Sequence, residues 1–208
     1  MKAMLRDFGA IKWQPGLILG MTFFFLGYFC TPVPMVRADE RLYALNIYGG
    51  WMTSNNWEDF ISDPLGLDFY DSNLVTAALA RRIGTYGDKA SFEIEGQIVK
   101  HFNVQTHWEL NALVVARWEA FWWDHILDTS VAFGLGPSYA TDEPEIEIIN
   151  DGDTARFLIY WMFELAISSP GCPQVALITR IHHRSNAYGW VAENGGSNAL
   201  ALGLKWRF

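Results

Sequence analysis

Short segments in which apolar and polar residues alternate recur along the chain after position 38. Eight of them are separated by polar, Gly- or Pro-containing stretches, and they span 41–52, 73–84, 89–100, 105–117, 127–138, 155–167, 174–185 and 197–208. In the third segment, for example, Phe92 and Ile94 alternate with Glu93 and Glu95. A period of two indicates a β-strand with one apolar and one polar face. The pattern therefore predicts an all-β protein of eight antiparallel strands.

Residues 1–38 have a different composition. Basic residues precede the apolar run 16–30, and Val36 and Ala38 occupy the positions that a signal peptidase reads. This order is typical of a secretory signal peptide, with cleavage after Ala38. The run is shorter than the ~20 residues of a transmembrane helix, although a retained N-terminal anchor is the alternative. We predict a signal peptide over 1–38 and a mature domain over 39–208.

The alternation fits two architectures. A membrane barrel has its apolar face outside and its polar face inside, whereas a soluble periplasmic β-sandwich turns the apolar face inward. The signal peptide, the apolar final strand and the aromatic residues near strand ends favour the barrel. Those aromatic residues are Trp118, Trp122, Trp123, Trp206 and Phe208. We predict an eight-stranded antiparallel transmembrane β-barrel in the bacterial outer membrane.

The charge of the mature domain excludes one class of function. Removing residues 1–38 removes four of the 15 basic and one of the 23 acidic residues, which leaves a net charge of −11. Such a domain does not bind nucleic acid by electrostatics. The predicted loops 53–72 and 139–154 carry acidic residues and no basic one. The spacing of histidines and cysteines predicts no metal site, and we expect no cofactor.

Connection lengths predict the orientation of the barrel. With the N-terminus in the periplasm, the outer connections are 53–72, 101–104, 139–154 and 186–196. The inner connections are then 85–88, 118–126 and 168–173. Outer-membrane barrels have long outer loops and short inner turns, and this assignment mostly follows that rule.

Alternation divides the polar end of the seventh strand between two faces. His183 and Ser185 continue the face that carries Leu177, and therefore face lipid. Arg180 and Arg184 lie on the opposite face with His182, inside the barrel. We expect the two arginines to form ion pairs inside the barrel with Glu93, Glu95 or Glu164.

The eighth strand brings a third polar residue to the same exterior region. Asn198 begins its apolar face, and a hairpin of strands seven and eight places Asn198 opposite His183 or Ser185. A hydroxyl, an imidazole and an orienting acceptor are the parts of an acyl-transfer triad. The alternative is a set of polar groups that are solvated at the level of the lipid headgroups.

The C-terminal region resembles a known family. "HRSNAYG", followed by "NGGSNALALGLKWRF", is similar to the C-terminal signature of the lipid A 3-O-deacylases, the PagL family. Members of that family are eight-stranded outer-membrane barrels with a His-x-Ser-Asn-Ala-Gly motif, and they remove the acyl chain at the 3 position of lipid A. The resemblance covers about the last 30 residues of the chain.

The resemblance implies roles for individual residues. It implies that Ser185 is the nucleophile and His183 the base, and that Asn186 and Gly189 form the oxyanion hole. Tyr188 is an extra residue within the motif.

The third member of the triad is less well defined. The family places a glutamate there, but the matching position in this chain is Asn198, and Glu193 in the preceding loop is the rival. An asparagine can orient the imidazole, but it supplies no charge to stabilise the imidazolium.

The expected function follows from this resemblance. The chain is expected to hydrolyse the 3-O-linked acyl chain of lipid A in the outer leaflet, without metal or cofactor, and a homodimer is possible. The acyl chains would lie against apolar residues of the last two strands, namely Val175, Leu177, Ile181, Leu200 and Leu202. The alternatives are a non-catalytic barrel for integrity or adhesion, and an esterase or phospholipase of different lipid specificity.

Overall fold

Eight strands form a closed antiparallel barrel in residues 41–208, the part of the chain that the computed structural model describes. The strands are β1 (Tyr43–Thr53), β2 (Phe69–Tyr86), β3 (Ala90–Asn103), β4 (Trp108–Trp118), β5 (Asp128–Ala140), β6 (Phe157–Ser168), β7 (Val175–Ser185) and β8 (Gly196–Arg207). Each strand pairs with its neighbours in sequence, and β1 pairs with β8 to close the barrel. The predicted fold is confirmed; the predicted signal peptide, 1–38, lies outside the described residues.

The observed strands match the predicted segments closely. The largest difference is at β2, which begins at Phe69 because Phe69 pairs with Thr53 beyond an irregularity in the β1 ladder. Two short helices lie in the connections, α1 (Asp59–Ser62) after β1 and α2 (Glu145–Asp151) after β5. Neither of these helices is long and apolar enough to cross a membrane.

The exterior of the barrel is apolar. On β4, for example, Trp108, Leu110 and Val114 are about half exposed, whereas Glu109 and Asn111 are buried inside. Most strands repeat this pattern of apolar residues outside and polar residues inside. Leaving a large apolar side chain in water instead of burying it forgoes roughly 1.5–3 kcal/mol. Lipid covers such a surface, and closed barrels of this kind belong to the bacterial outer membrane.

A charged network centred on Glu164 occupies the interior. The Glu164 carboxylate is fully buried, and three cations approach it: Arg117 Nη1 at 2.8 Å, Arg180 Nε at 2.6 Å and Lys205 Nζ at 2.5 Å. A buried carboxylate is tolerated only when opposite charges and hydrogen bonds replace its water shell. The network therefore depends on all three contacts.

Two further glutamates balance the charge of this network. Arg117 Nε also lies 2.8 Å from Glu93, and Arg180 Nη1 lies 2.6 Å from Glu95. With Glu164 and Lys205, three acidic side chains face three basic ones, so the network has no net charge. The expected ion pairs of Arg180 are confirmed.

Arg184 pairs differently from expectation. Its guanidinium lies 3.0 Å from Glu147 Oε1 on α2, rather than against the three strand glutamates. Burial raises the pKa of Glu147, while the charge of Arg184 opposes that effect. This ion pair helps to hold the β5–β6 connection, 141–156, over one end of the barrel. Ile146 of α2 packs there among the buried residues of the interior.

The connections differ between the two ends of the barrel. We call the end that carries 54–68, 104–107, 141–156 and 186–195 the loop end. The opposite end, the turn end, carries 87–89, 119–127 and 169–174. The predicted contrast in length is present, with two exceptions, the short 104–107 at the loop end and the long 119–127 at the turn end.

The charge network yields a stability prediction. We expect Glu164→Gln to lower the free energy of unfolding by about 3–5 kcal/mol, because it leaves three buried cations with too few anions. Urea unfolding of the barrel in lipid vesicles, followed by tryptophan fluorescence, measures the change.

The matched control is Glu119→Gln at the turn end. Glu119 forms a partly exposed pair with Arg82 at 3.9 Å, and such a pair contributes about 0–1 kcal/mol. Equal losses for the two variants would contradict the central role of Glu164.

Candidate functional site

The polar end of β7 is divided between two faces, as alternation predicts. Arg180, His182 and Arg184 are fully buried inside the barrel. His183 and Ser185 are half-buried and lie on the exterior at the loop end. Only one of the two adjacent histidines is therefore accessible from the lipid side.

The hairpin of β7 and β8 brings His183 and Asn198 together. They are register partners, and His183 Nδ1 lies 2.6 Å from Asn198 Oδ1. The Asn198 amide Nδ2 donates a hydrogen bond of 2.9 Å to the carbonyl oxygen of Asn55. That carbonyl can only accept, so it determines which end of the Asn198 amide faces His183.

This pair of hydrogen bonds defines the tautomer of His183. Asn198 Oδ1 is an acceptor, so the bond requires a proton on His183 Nδ1. A neutral imidazole then has an unprotonated Nε2, which can accept a proton from another group. The arrangement can therefore supply a general base with a defined free nitrogen.

Aromatic side chains form one wall of the site. The Trp161 ring lies 4.4 Å from the His183 ring, centroid to centroid, because Trp161 is its register partner on β6. Trp57 from the β1–β2 connection packs edge-on against Trp161 at 5.6 Å. Sequence reasoning did not identify Asn55, Trp57 or Trp161 as site residues. The strand alternation placed Trp161 on the exterior, but only the register places it beside His183.

Ser185 lies on the same face as His183, but the two side chains are not hydrogen-bonded to each other in the described structure. The Ser185 hydroxyl oxygen accepts a hydrogen bond of 3.1 Å from the Ala187 N–H. Residues i and i+2 on a strand are about 7 Å apart, so proton transfer to His183 requires a different hydroxyl position. The serine is near the base but is not aligned with it.

The expected oxyanion residues belong to a constrained turn. Ala187, Tyr188 and Gly189 all have positive φ, at 53°, 58° and 86°, a conformation that is costly for residues other than glycine. The Asn186 side-chain amide donates to the Glu193 carbonyl at 3.0 Å, so it is already engaged. Gly189 is exposed, and no hydrogen bond from its N–H is seen to the described part of the chain.

The candidates for the third position behave differently. Asn198 contacts His183, whereas the exposed Glu193 contributes its main-chain carbonyl to the turn. No hydrogen bond or ion pair joins the Glu193 carboxylate to His183 in residues 41–208.

Comparisons with known proteins support the fold. The chain matches no protein-family model and no curated protein sequence. Among solved structures it is similar to the outer membrane enzyme PagL, with a TM-score of 0.55 and 10% identity, over 79% of this chain and 99% of PagL.

Two other barrels are more weakly similar. Neisserial surface protein A has a TM-score of 0.48 at 13% identity, over 80% of this chain and 97% of its own. The attachment invasion locus protein Ail of Yersinia pestis has a TM-score of 0.37 at 10% identity, over 80% and 97%. At such identities, the likeness to PagL shows a shared barrel fold.

The hydrogen bonds of Asn198 predict the tautomer of His183. In ¹⁵N NMR spectra at pH 8, where the ring is neutral, we expect His183 to be protonated at Nδ1. We expect Asn198→Ala to shift the tautomer ratio roughly 2- to 10-fold toward Nε2–H, because one hydrogen bond contributes about 0.5–1.5 kcal/mol.

Asn194→Ala is the control for this measurement, since Asn194 is exposed in the same connection. It should leave the His183 signals unchanged. A wild-type ring that is protonated at Nε2 would contradict the geometry.

Proposed function

We propose that this barrel is an outer-membrane ester hydrolase that removes the 3-O-linked acyl chain of lipid A. The observation that carries the proposal is the oriented His183–Asn198 pair on the lipid-facing exterior, two residues from Ser185. Polar groups are costly in hydrocarbon unless they are hydrogen-bonded. An oriented base on this exterior face is therefore better explained by chemistry than by barrel stability.

The first step forms a tetrahedral intermediate on Ser185. The Ser185 hydroxyl turns toward His183 Nε2, and this nitrogen takes its proton as Oγ attacks the ester carbonyl. The bond between Oγ and the carbonyl carbon forms, and negative charge develops on the carbonyl oxygen. Asn198 Oδ1 holds the imidazolium through Nδ1–H.

The oxyanion requires donors near Ser185. The Gly189 N–H is the best candidate, because the Asn186 amide already donates to the Glu193 carbonyl. The Ala187 N–H, which now donates to Ser185 Oγ at 3.1 Å, becomes available when the hydroxyl turns. Such preorganised donors commonly contribute about 10²–10³-fold to the rate.

The tetrahedral intermediate then collapses to an acyl-enzyme, and hydrolysis restores the free enzyme. The bond between the carbonyl carbon and the sugar oxygen breaks, and His183 returns its proton to that oxygen. Water then attacks the acyl-enzyme with His183 as base, which releases the fatty acid and regenerates Ser185. Atoms and protons balance without a metal or cofactor.

The exterior of β7 and β8 offers a surface for the acyl chains. Leu177 and Leu202 are about half exposed and face lipid. Val175 and Ile181, also expected to contact the chains, are nearly buried, so they provide little contact area. Trp161 adds an aromatic surface beside His183.

The acidic connections favour a second candidate, an esterase or phospholipase that acts on a less anionic lipid. Residues 54–68 and 141–156 contain several carboxylates, and Glu58 directly follows Trp57, which packs against Trp161 of the site. Like charges repel the phosphates of lipid A. A non-catalytic barrel is the third candidate, and the hydrogen bond between Ser185 and Ala187 favours it.

The central test compares two serine variants. Ser169 at the turn end accepts a hydrogen bond from the backbone N–H two residues later, as Ser185 does, but lies far from His183. We expect Ser185→Ala to lower deacylation by at least about 10³-fold and Ser169→Ala to leave it unchanged. Mass spectrometry of lipid A and phospholipids incubated with each purified variant measures the product.

The outcomes separate the three candidates. Release of an acyl chain from lipid A that depends on Ser185 supports the proposal. Release from phospholipid alone supports the second candidate. No release from either lipid by the wild-type protein, or full activity in Ser185→Ala, contradicts a Ser185-dependent enzyme.

The third position has its own prediction. We expect Asn198→Ala to lower the deacylation rate roughly 10²-fold, because orienting the base is part of acid–base catalysis. Glu193→Ala should retain nearly full activity, since its carboxylate does not contact His183. The kcat of both variants on the accepted lipid tests this, and a larger loss in Glu193→Ala would assign the position to Glu193.

A further inference from the structure

A buried cluster of imidazole and carboxylate groups occupies the interior at the loop end. One ligand atom from each of His101, His107 and Glu109 lies within 4.8 Å of the others, and all three side chains are buried. His101 is on β3, Glu109 is on β4, and His107 is in the short connection between them. This cluster is separate from His183, which lies on the exterior.

A fourth side chain joins the cluster from β7. His182 Nε2 lies 3.0 Å from Glu109 Oε1, while His101 Nε2 lies 3.0 Å from Glu109 Oε2. Each carboxylate oxygen of Glu109 thus has one imidazole beside it. The His101 and His107 rings are stacked with centroids 4.3 Å apart. Three imidazoles and one carboxylate therefore converge from three strands and the connection between two of them.

Several nitrogen atoms of the cluster lack hydrogen-bond partners. His107 Nε2 is buried and forms no hydrogen bond within residues 41–208. His182 Nε2 approaches Glu109 but is not aligned as a hydrogen bond, and its Nδ1 is also unsatisfied. Buried polar atoms are satisfied in most native structures, so each exception needs an explanation such as an ion. A cation bound between the rings would supply a partner for His107 Nε2 and for His182 Nε2.

The donor set selects a class of ion. Imidazole nitrogens suit Zn²⁺ and neighbouring transition metals, whereas Mg²⁺ and Ca²⁺ prefer oxygen ligands. Zinc bonds of 2.0–2.1 Å in a tetrahedral site place ligand atoms about 3.4 Å apart. The spacings of 3.0 Å are close to this value. The ligand atoms of His101, His107 and Glu109 lie within 4.8 Å of one another and move inward when the ion binds.

We propose that His101, His107, Glu109 and His182 form a binding site for one divalent transition-metal ion, of the zinc class, inside the loop end of the barrel. The ion replaces the proton that His101 Nε2 donates to Glu109, and that proton moves to Nδ1 of the same ring, so that the imidazole stays neutral. The site binds independently of the proposed hydrolase activity and shares no residue with it.

Metal binding also involves the β5–β6 connection. Gln105 Nε2 lies 3.0 Å from His101 Nδ1, and Gln105 Oε1 accepts a hydrogen bond of 3.2 Å from the Ile146 N–H. When Nε2 of His101 binds the ion, Nδ1 carries the proton and needs an acceptor. The Gln105 amide then turns its oxygen to His101 and releases Ile146. The site is thereby linked to the segment that covers the loop end.

Metal titration of the purified chain, prepared without a polyhistidine tag and stripped with a chelator, tests the proposal. We expect Zn²⁺ to bind with one ion per chain by isothermal titration calorimetry and elemental analysis. Co²⁺ in its place should give the intense visible absorption of a tetrahedral ion. No Zn²⁺ binding by the folded wild-type chain would overturn the proposal.

Matched histidine variants locate the ion. We expect His107→Ala and the more conservative His107→Gln to weaken binding by at least about 10-fold. His125→Ala, in the turn-end connection 119–127, is the control and should bind as the wild type does. Heat-modifiable gel mobility verifies that each variant is folded. Binding that survives both His107 variants, or that His125→Ala abolishes, would contradict the site.

Discussion

Closure of the sheet is the constraint on which both the fold and the candidate site depend. An unpaired strand edge in hydrocarbon leaves backbone N–H and C=O groups unsatisfied, at a cost of several kcal/mol each. β1 and β8 remove that edge by pairing from Ala44 with Arg207 to Thr53 with Asn198. The same pairing brings the Asn55 carbonyl to the Asn198 amide. The orientation of His183 therefore depends on contact between the first and the last strand of the barrel.

The closed sheet also separates an interior of ionised side chains from an exterior site whose hydrogen-bonded pair is neutral. Inside, Glu164 and its neighbours form a network in which each charge is balanced by opposite charges at hydrogen-bond distance. Outside, the His183–Asn198 pair has no ionised partner in direct contact within the described residues. A neutral pair is easier to place in lipid than an ion pair, because a charge in hydrocarbon carries a large desolvation cost. An amide in the third position suits this location.

Much of the fold could be predicted from the sequence because strand alternation is local. Whether a residue such as His182 or His183 faces the interior follows from its position in a strand. The apolar residues on the outward face of each strand could be identified in the same way. The positions of the connections were harder to predict, because no sequence period indicates where a loop lies. The pairing of Arg184 with Glu147 was missed for this reason, since α2 folds over the end of the barrel.

The candidate site was likewise predictable only in part. The sequence by itself determined that the chain is a barrel, that His183 and Ser185 share its exterior, and that Asn198 lies on the neighbouring strand. Only the tertiary structure decided that Asn198, and not Glu193, contacts His183, that Trp161 lies beside it, and that Ser185 is bonded to its own turn. The histidine cluster inside the barrel likewise has no recognisable spacing. Its members meet through register and through a loop, and both depend on contacts between residues far apart in the chain.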